Sequence, residues 1–294
     1  MTSSTVANSG SVAPVSLVTT WSAAMGLRTP IVNAPMGGAA GGRLASAVTA
    51  AGGLGMLGLG SAGTPEVLRR EIGLAHGRFG IGLVHWVMAE SPELLDIALG
   101  AQPALLSVSF GTDFAWVQRA HDAGVTVTTQ VASVEAARRA VDAGVDVLVA
   151  RGAEGGGHGE PLVGTLPLLT GVLDAVDVPV LSAGGIGSAR GVAAVLAAGA
   201  SGAWIGTLFA ACPQALTSES ARAELVAGHD TELTSAHDIA AGYRWPANIP
   251  ERVLRGSPVN AGEGVGQLRQ PVDAGELVAA LTADAEDLLR RPVR

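Results

Sequence analysis

The segment VPVLSAGGIGSARGVAAVLAAGASGAWIGT, Val178–Thr207, holds two short apolar runs separated by an alanine-rich helical stretch. The first run ends at Gly184-Gly185, and a helix begins near Ser188. The second ends at Gly206-Thr207, and a further helix follows. This is the order of a strand–helix–strand unit with buried parallel strands.

Working outward, the same alternation recurs. Strands are expected at 31–36, 54–59, 79–84, 104–109, 125–129, 145–150, 180–183 and 203–206. Helices are expected at 40–51, 65–76, 92–99, 114–123, 134–143, 166–175 and 189–198, with 213–227 after the last strand. Gly124, Gly144 and Gly199 fit C′ caps that feed a strand. Eight such units over about 200 residues favour a (β/α)8 TIM barrel over a doubly wound open sheet. Residues 1–20 read as a flexible lead-in and 21–227 as the barrel. Residues 228–294 read as an extension of loop and helix packed on it, with the Pro-rich YRWPANIPERVLRGSP near the mouth and a helix at 274–290.

Composition removes several classes of function. The 294 residues carry a net charge of −8, so no basic block exists to neutralise phosphates, and nucleic acid is not an expected partner. All 18 basic side chains are arginine. Without lysine there is no Schiff base, Walker phosphate loop or lysine base. One cysteine, Cys212, excludes an internal disulfide and suits a reducing, cytoplasmic setting; it reads as a buried thiol. The N-terminus has no basic region of the kind that opens a signal peptide. The uncharged part of 191–218 is broken by glycines and Pro213 and divides into helix and strand rather than a membrane span. GGLGMLGLG matches a dinucleotide fingerprint through Gly53, Gly55 and Gly58, but a helix precedes it and the match lies within a strand, against that reading.

The ends of barrel strands are where such folds hold their chemistry. The loops at Gly184-Gly185 and Gly206-Thr207 follow the seventh and eighth runs, the usual place of a phosphate site built from backbone N–H groups. After the sixth run comes RGAEGGGHGE, Arg151–Glu160. Its Gly155, Gly156 and Gly157 would let the chain lie flat against a planar ligand, with His158 projecting toward the mouth as a proton-transfer group. Glu154 would orient that loop or cap an N–H. In NAPMGG, Pro35, Met36 and Gly37 either present backbone and an apolar side chain to a flat ring or turn the chain. His85 is a weaker candidate at the mouth. No ligand cluster indicates a metal.

NAPMGGAAGGRLASAVTAAGGLGMLG, TTQVASVEAARRAVDAGVDVLVARGAEGGGHG, VPVLSAGGIGSARGVAAVLAAGASGAWIGTLF and NAGEGVGQL together resemble the nitronate monooxygenase (2-nitropropane dioxygenase) family over about Pro30 to Leu268. The resemblance implies a TIM barrel that binds FMN noncovalently and without metal. It implies oxidation of alkyl nitronates by molecular oxygen to a carbonyl compound and nitrite. The family's catalytic histidine matches His158. Its flavin contacts match Gly156, Gly185 and Trp204, Ile205, Gly206 and Thr207, with Met36 under the ring. Two positions depart: the family often has Gln where Arg151 stands and Asn where Gly82 stands. An arginine there would favour negative charge on a reduced flavin. The implied partners are a small-molecule substrate and oxygen, with no membrane; a homo-oligomer is compatible with this reading. The nearest rival is an NAD(P)H-dependent enoyl-thioester or quinone reductase on the same fold and flavin. Further rivals are a lysine-free phosphosugar isomerase or lyase and a flavin-binding sensor.

Overall fold

The computed structural model describes residues 17–291; most of the expected lead-in, 1–16, lies outside the described residues. The strands are β1 (Ile31–Asn33), β2 (Gly55–Gly58), β3 (Phe79–Val84), β4 (Leu106–Ser109), β5 (Val127–Val131), β6 (Val147–Arg151), β7 (Gly157–His158), β8 (Val180–Ala183), β9 (Gly202–Ile205), β10 (Thr231–Thr234) and β11 (Glu251–Leu254). Eight of them form one parallel sheet in the order β1-β9-β8-β6-β5-β4-β3-β2. The two ends of that order meet. A parallel bridge joins Val32 to Leu54, and the Leu54 N–H donates to the Ile31 carbonyl at 2.9 Å. The Asn33 side chain completes the seam: its Oδ1 accepts from the Met56 N–H and its Nδ2 donates to the Met56 carbonyl, both at 2.9 Å. The sheet is therefore closed, as the strand count predicts.

Period-two patterning is hidden in these strands because both faces are buried. In β6, Val147 and Val149 face the barrel interior while Leu148 and Ala150 pack outward against helices. Val32, Leu54, Met56, Leu181 and Trp204 share that interior, joined by Trp21 and Met25 at the helix Thr20–Ala24. Trp21 packs near Gly202, the first residue of β9, so it plugs the floor of the barrel. The mouth at the strand C-termini is left for function.

Seven expected helices lie within a few residues of their expected positions. Gly124, Gly144 and Gly199 adopt φ of +72°, +90° and +104°, as C′ caps require. The expected helix 213–227 is shorter, Glu219–Ala227, because Ser218 caps it at Ala221 and the chain turns through 213–218. A four-residue helix, Thr207–Ala210, follows β9 instead. Helix Ala274–Arg290 stands where expected. It packs between Ala189–Ala197 and Gly42–Ala50, so it fills the outer-ring place that the short helix after β9 leaves open.

The segment after residue 227 also contains β10 and β11, where the sequence pattern predicts loop. β11 pairs antiparallel with β10 on one side and β7 on the other, with Glu251 opposite His158 and Arg252 opposite Gly157. No helix among the described residues is long and apolar enough to cross a membrane.

Close packing at β2 gives the first test. A Cβ on Gly55 would lie 1.9 Å from the Ala45 carbonyl oxygen, whereas one on Gly73, in the helix Pro65–Leu74, meets nothing within 4 Å. Gly55→Ala should destabilise by about 1–3 kcal/mol through overpacking. Gly73→Ala should stabilise by about 0.5–1 kcal/mol through reduced unfolded-state entropy. Thermal unfolding of the two variants should move Tm in opposite directions.

Candidate active site

A cavity of about 890 Å³ opens at the strand C-termini, within the range of roughly 300–1,000 Å³ usual for small-molecule sites. Its wall includes Pro35, Met36, Gly37, Arg151, Gly156, Gly157, His158, Gly185, Trp204, Ile205, Gly206 and Thr207. The candidate catalytic and cofactor-binding residues from the sequence are thus on one cavity except Gly82, while the weaker candidate His85 and the loop residue Glu154 are off its wall. That glycine lies behind the wall: a Cβ there would sit 2.3 Å from the Pro35 Cβ, so its bareness lets Pro35 seat in the barrel mouth.

The floor of the cavity is made by loops after β8 and β9. The N–H groups of Gly185, Ile186 and Thr207 have no partner among the described residues, and all three residues line the cavity. Gly185 sits at φ +64°, and a Cβ there would press on Glu154 at 3.0 Å. The Thr207 Oγ1 accepts from the Gly262 N–H at 3.0 Å, which leaves its own hydrogen free to donate. Gly262 and Gly264, from the segment NAGEGVGQL, close this floor from the C-terminal side.

The glycine run after β6 has an internal reason for its composition. Arg151 projects into the interior with 6% exposure. Its Nη2 donates to the carbonyls of Gly155, Gly156 and Gly157 at 2.8, 3.2 and 3.1 Å. Cβ atoms on Gly155 and Gly159 would lie 2.9 and 2.1 Å from guanidinium atoms. Burial, and then the charge of Arg252, push the Arg151 pKa down to about 10, so it stays cationic near neutrality. The guanidinium is therefore committed to the loop's own carbonyls, and the glycines make room for it. Glu154 orients the loop from the other side, accepting from the Thr165 N–H and Oγ1 at 2.8 and 2.6 Å.

That loop presents His158, whose side chain is 14% exposed. Its Nε2 faces Asp238 Oδ2 at 2.8 Å. Its ring stacks on Trp245, with centroids 3.6 Å apart and planes 7° from parallel. Trp245 in turn makes T-shaped contacts with Phe110 and Trp86 at centroid distances of 5.1 and 5.8 Å, and its Nε1 donates to Ser61 Oγ at 2.9 Å. The Pro-rich segment thus folds over the mouth. Phe110 has φ +70°, a costly conformation for an aromatic residue, held where its ring meets Trp245. Burial lowers the His158 pKa despite the hydrogen bond and charge of Asp238, and the Arg151 charge lowers it further.

Asp238, Glu251, Trp245 and Phe110 were not among the sequence candidates. Asp238 lies in SAHDIAAGY, 80 residues from its partner, and has no local motif to mark it. The Pro-rich character of YRWPANIPERVLRGSP is the one signal that points to the mouth, and it singles out neither Trp245 nor Glu251. His237 lines the cavity, while His85 packs against Gly111 and is not on its wall. Cys212 is buried, its thiol pushed up to about 12 by burial.

Arg151→Met should leave buried loop carbonyls unpaired and cost roughly 1–3 kcal/mol. Faster amide hydrogen exchange in 152–159 would show the loosening; unchanged protection there would reject the role given to Arg151.

Comparison with known proteins agrees with this architecture. A family model described as nitronate monooxygenase matches residues 85–243. A nitronate monooxygenase of Pseudomonas aeruginosa is 31% identical, covering 78% of this chain and 79% of that protein. A (3aS,4S,5R,7aS)-5-hydroxy-7a-methyl-1-oxo-octahydro-1H-indene-4-carboxyl-CoA dehydrogenase of Rhodococcus jostii is also 31% identical, covering 85% of this chain and 69% of that protein. Among solved structures, FabK from Thermotoga maritima superposes with a TM-score of 0.82 at 25% identity, over 92% of this chain and 97% of that one. A nitroalkane oxidase from Streptomyces ansochromogenes gives 0.76 at 28%, over 89% and 97%. Closed barrel, glycine-lined cavity and facing histidine thus coincide with a family match over more than half of the chain, and the chain belongs to the nitronate monooxygenase family of oxidoreductases.

Proposed function

We propose that the chain is an FMN-dependent enzyme that oxidises nitroalkanes and their nitronates with molecular oxygen, giving a carbonyl compound and nitrite, with His158 as the base. The observation that carries this reading is His158, held by Asp238 through Nε2, on the wall of the same cavity whose floor offers unpartnered amides.

The residues fit a flavin mononucleotide. The amides of Gly185, Ile186 and Thr207 suit a phosphate, and the bare wall at Gly156 and Gly206 suits a planar ring beside Met36. When bound, the flavin supplies the redox chemistry, accepting electrons from substrate and returning them to oxygen. The protein does the rest. A carboxylate facing Nε2 keeps the ring proton there and leaves the Nδ1 lone pair to accept a proton from the substrate carbon. Trp245, Phe110 and Trp86 fix the ring and cover the site from water.

A second reading is supported by the names of two relatives. The proteins of Rhodococcus jostii and Mycobacterium tuberculosis are carboxyl-CoA dehydrogenases. In this chain that would be redox chemistry at an acyl thioester beside the same base. Anaerobic mixing separates the readings. Bleaching of the flavin by nitroethane or ethyl nitronate supports the first. Bleaching by an acyl-CoA thioester supports the second, and bleaching by NAD(P)H alone supports the same thioester chemistry run as a reductase.

His158→Asn should retain flavin while slowing turnover of neutral nitroalkane by about 10²-fold or more, the usual worth of a general base. Turnover of preformed nitronate should fall much less. Equal, unimpaired rates on both would reject the base role. Because the His158 pKa is lowered, the neutral base persists to lower pH. The acidic limb of kcat/KM for nitroalkane should therefore lie below the free-imidazole value of about 6.5.

A further inference from the structure

The site contains two carboxylates that the reading above does not use fully. Asp238 and Glu251 are 6% and 5% exposed. With His158 they bring one ligand-type atom each to within 4.8 Å of one another. They arrive from separate elements: Asp238 from helix Ala236–Ala241, and Glu251 from β11, in register with His158. Glu251 Oε1 is buried and has no hydrogen-bond partner.

Two carboxylates this close in a buried site do not both ionise cheaply; one keeps a proton. Asp238 has the imidazole N–H to stabilise its charge, and Glu251 has no such donor at Oε1. Arg151, the guanidinium acting on His158, has its Nη2 on three loop carbonyls. His237, on the same helix as Asp238, acts on Glu251 only through its charge. The proton is thus assigned to Glu251 and the charge to Asp238.

We propose that Asp238 and Glu251 form a positioning pair for His158. Ionised Asp238 holds the ring with its proton on Nε2 and its Nδ1 lone pair free, and protonated Glu251 keeps the second charge out of the cluster. The inference rests on His158 being the base. It adds how the base is readied for a neutral carbon acid, whose C–H proton goes to Nδ1 as the carbanion forms. Asp238 touches neither substrate nor flavin in this assignment; it acts through the ring. The same burial that pushes the His158 pKa down is offset in part by Asp238, so removing that carboxylate lowers it further. Glu251 is already held above the ordinary carboxylate range, by burial first and the Asp238 charge second.

The test uses the FMN-loaded protein and its Asp238→Asn and Glu251→Gln variants. Heteronuclear NMR of the imidazole nitrogens, with His158→Asn identifying the signal, should show the Nε2–H tautomer in the parent. Asp238→Asn should mix the tautomers and move the titration to lower pH, and Glu251→Gln should leave both unchanged. In anaerobic stopped flow, Asp238→Asn should slow flavin reduction by nitroethane about 10- to 100-fold, less than the roughly 10²- to 10⁴-fold worth of the base itself, because the ring stays in place. Reduction by ethyl nitronate and the affinity for FMN should stay within about twofold, because neither needs the base.

An unchanged tautomer and titration in Asp238→Asn would overturn the proposal. So would equal losses on nitroethane and nitronate, or a stoichiometric divalent ion in the parent that Glu251→Gln removes. If neither substrate reduces the parent flavin, the nitroalkane reading fails, while the NMR result still decides the role of Asp238.

Discussion

A buried arginine must have its N–H groups satisfied, and in this chain one such arginine organises the active face. Arg151 ends a barrel strand pointing inward, where no water replaces missing partners. The chain following it curls back so that its own carbonyls surround the guanidinium. That curl fixes the path of Gly155–Gly159 and delivers Gly157–His158 as a short strand. The strand then has a free edge, which β11 takes. From one desolvated cation follow the position of His158, the attachment of the C-terminal segment and the placement of Glu251.

The C-terminal segment is bound into the site by several unlike interactions. Arg252, next to Glu251, donates from Nε and Nη2 to the Ala153 carbonyl at 3.1 and 3.0 Å, tying β11 to the same loop from the opposite side. The Gly262 amide reaches Thr207, and the Glu263 amide reaches the Glu154 carbonyl at 2.9 Å. Trp245 closes the mouth over His158, and helix Ala274–Arg290 anchors the end of the described chain to the barrel wall. The segment contributes to the substrate face, the floor and the outer ring together.

Electrostatics at the mouth follow from burial more than from net charge. The chain is acidic overall, yet the groups that matter sit where water is scarce and partners decide ionisation. Burial lowers His158, lowers Arg151 and raises Glu251, each away from its charged form. Only specific neighbours oppose that trend, as Asp238 does for His158. An imidazole kept neutral but hydrogen-bonded to a carboxylate is the state that the proposed proton abstraction calls for.

The amino-acid sequence by itself determined the barrel. Strand-length apolar runs, alanine-rich helices and glycine caps at 124, 144 and 199 are local signals, and each reads the same in isolation as in the fold. It also marked the loops at Gly184-Gly185, Gly206-Thr207 and Gly155–His158, because strand ends in such a barrel converge on one face. It did not mark β7, β10 or β11, which are too short to show a period and exist because each has a partner edge. Nor did it mark Asp238 or Glu251: a single acid in SAHDIAAGY or PERVL looks like any surface carboxylate until folding removes its water. Gly82 and the glycines around Arg151 belong to the same class, since their bareness answers Pro35 and a guanidinium that only the folded chain brings near. What lies within a few residues was legible; what depends on which distant groups share a dry space was decided by the tertiary structure.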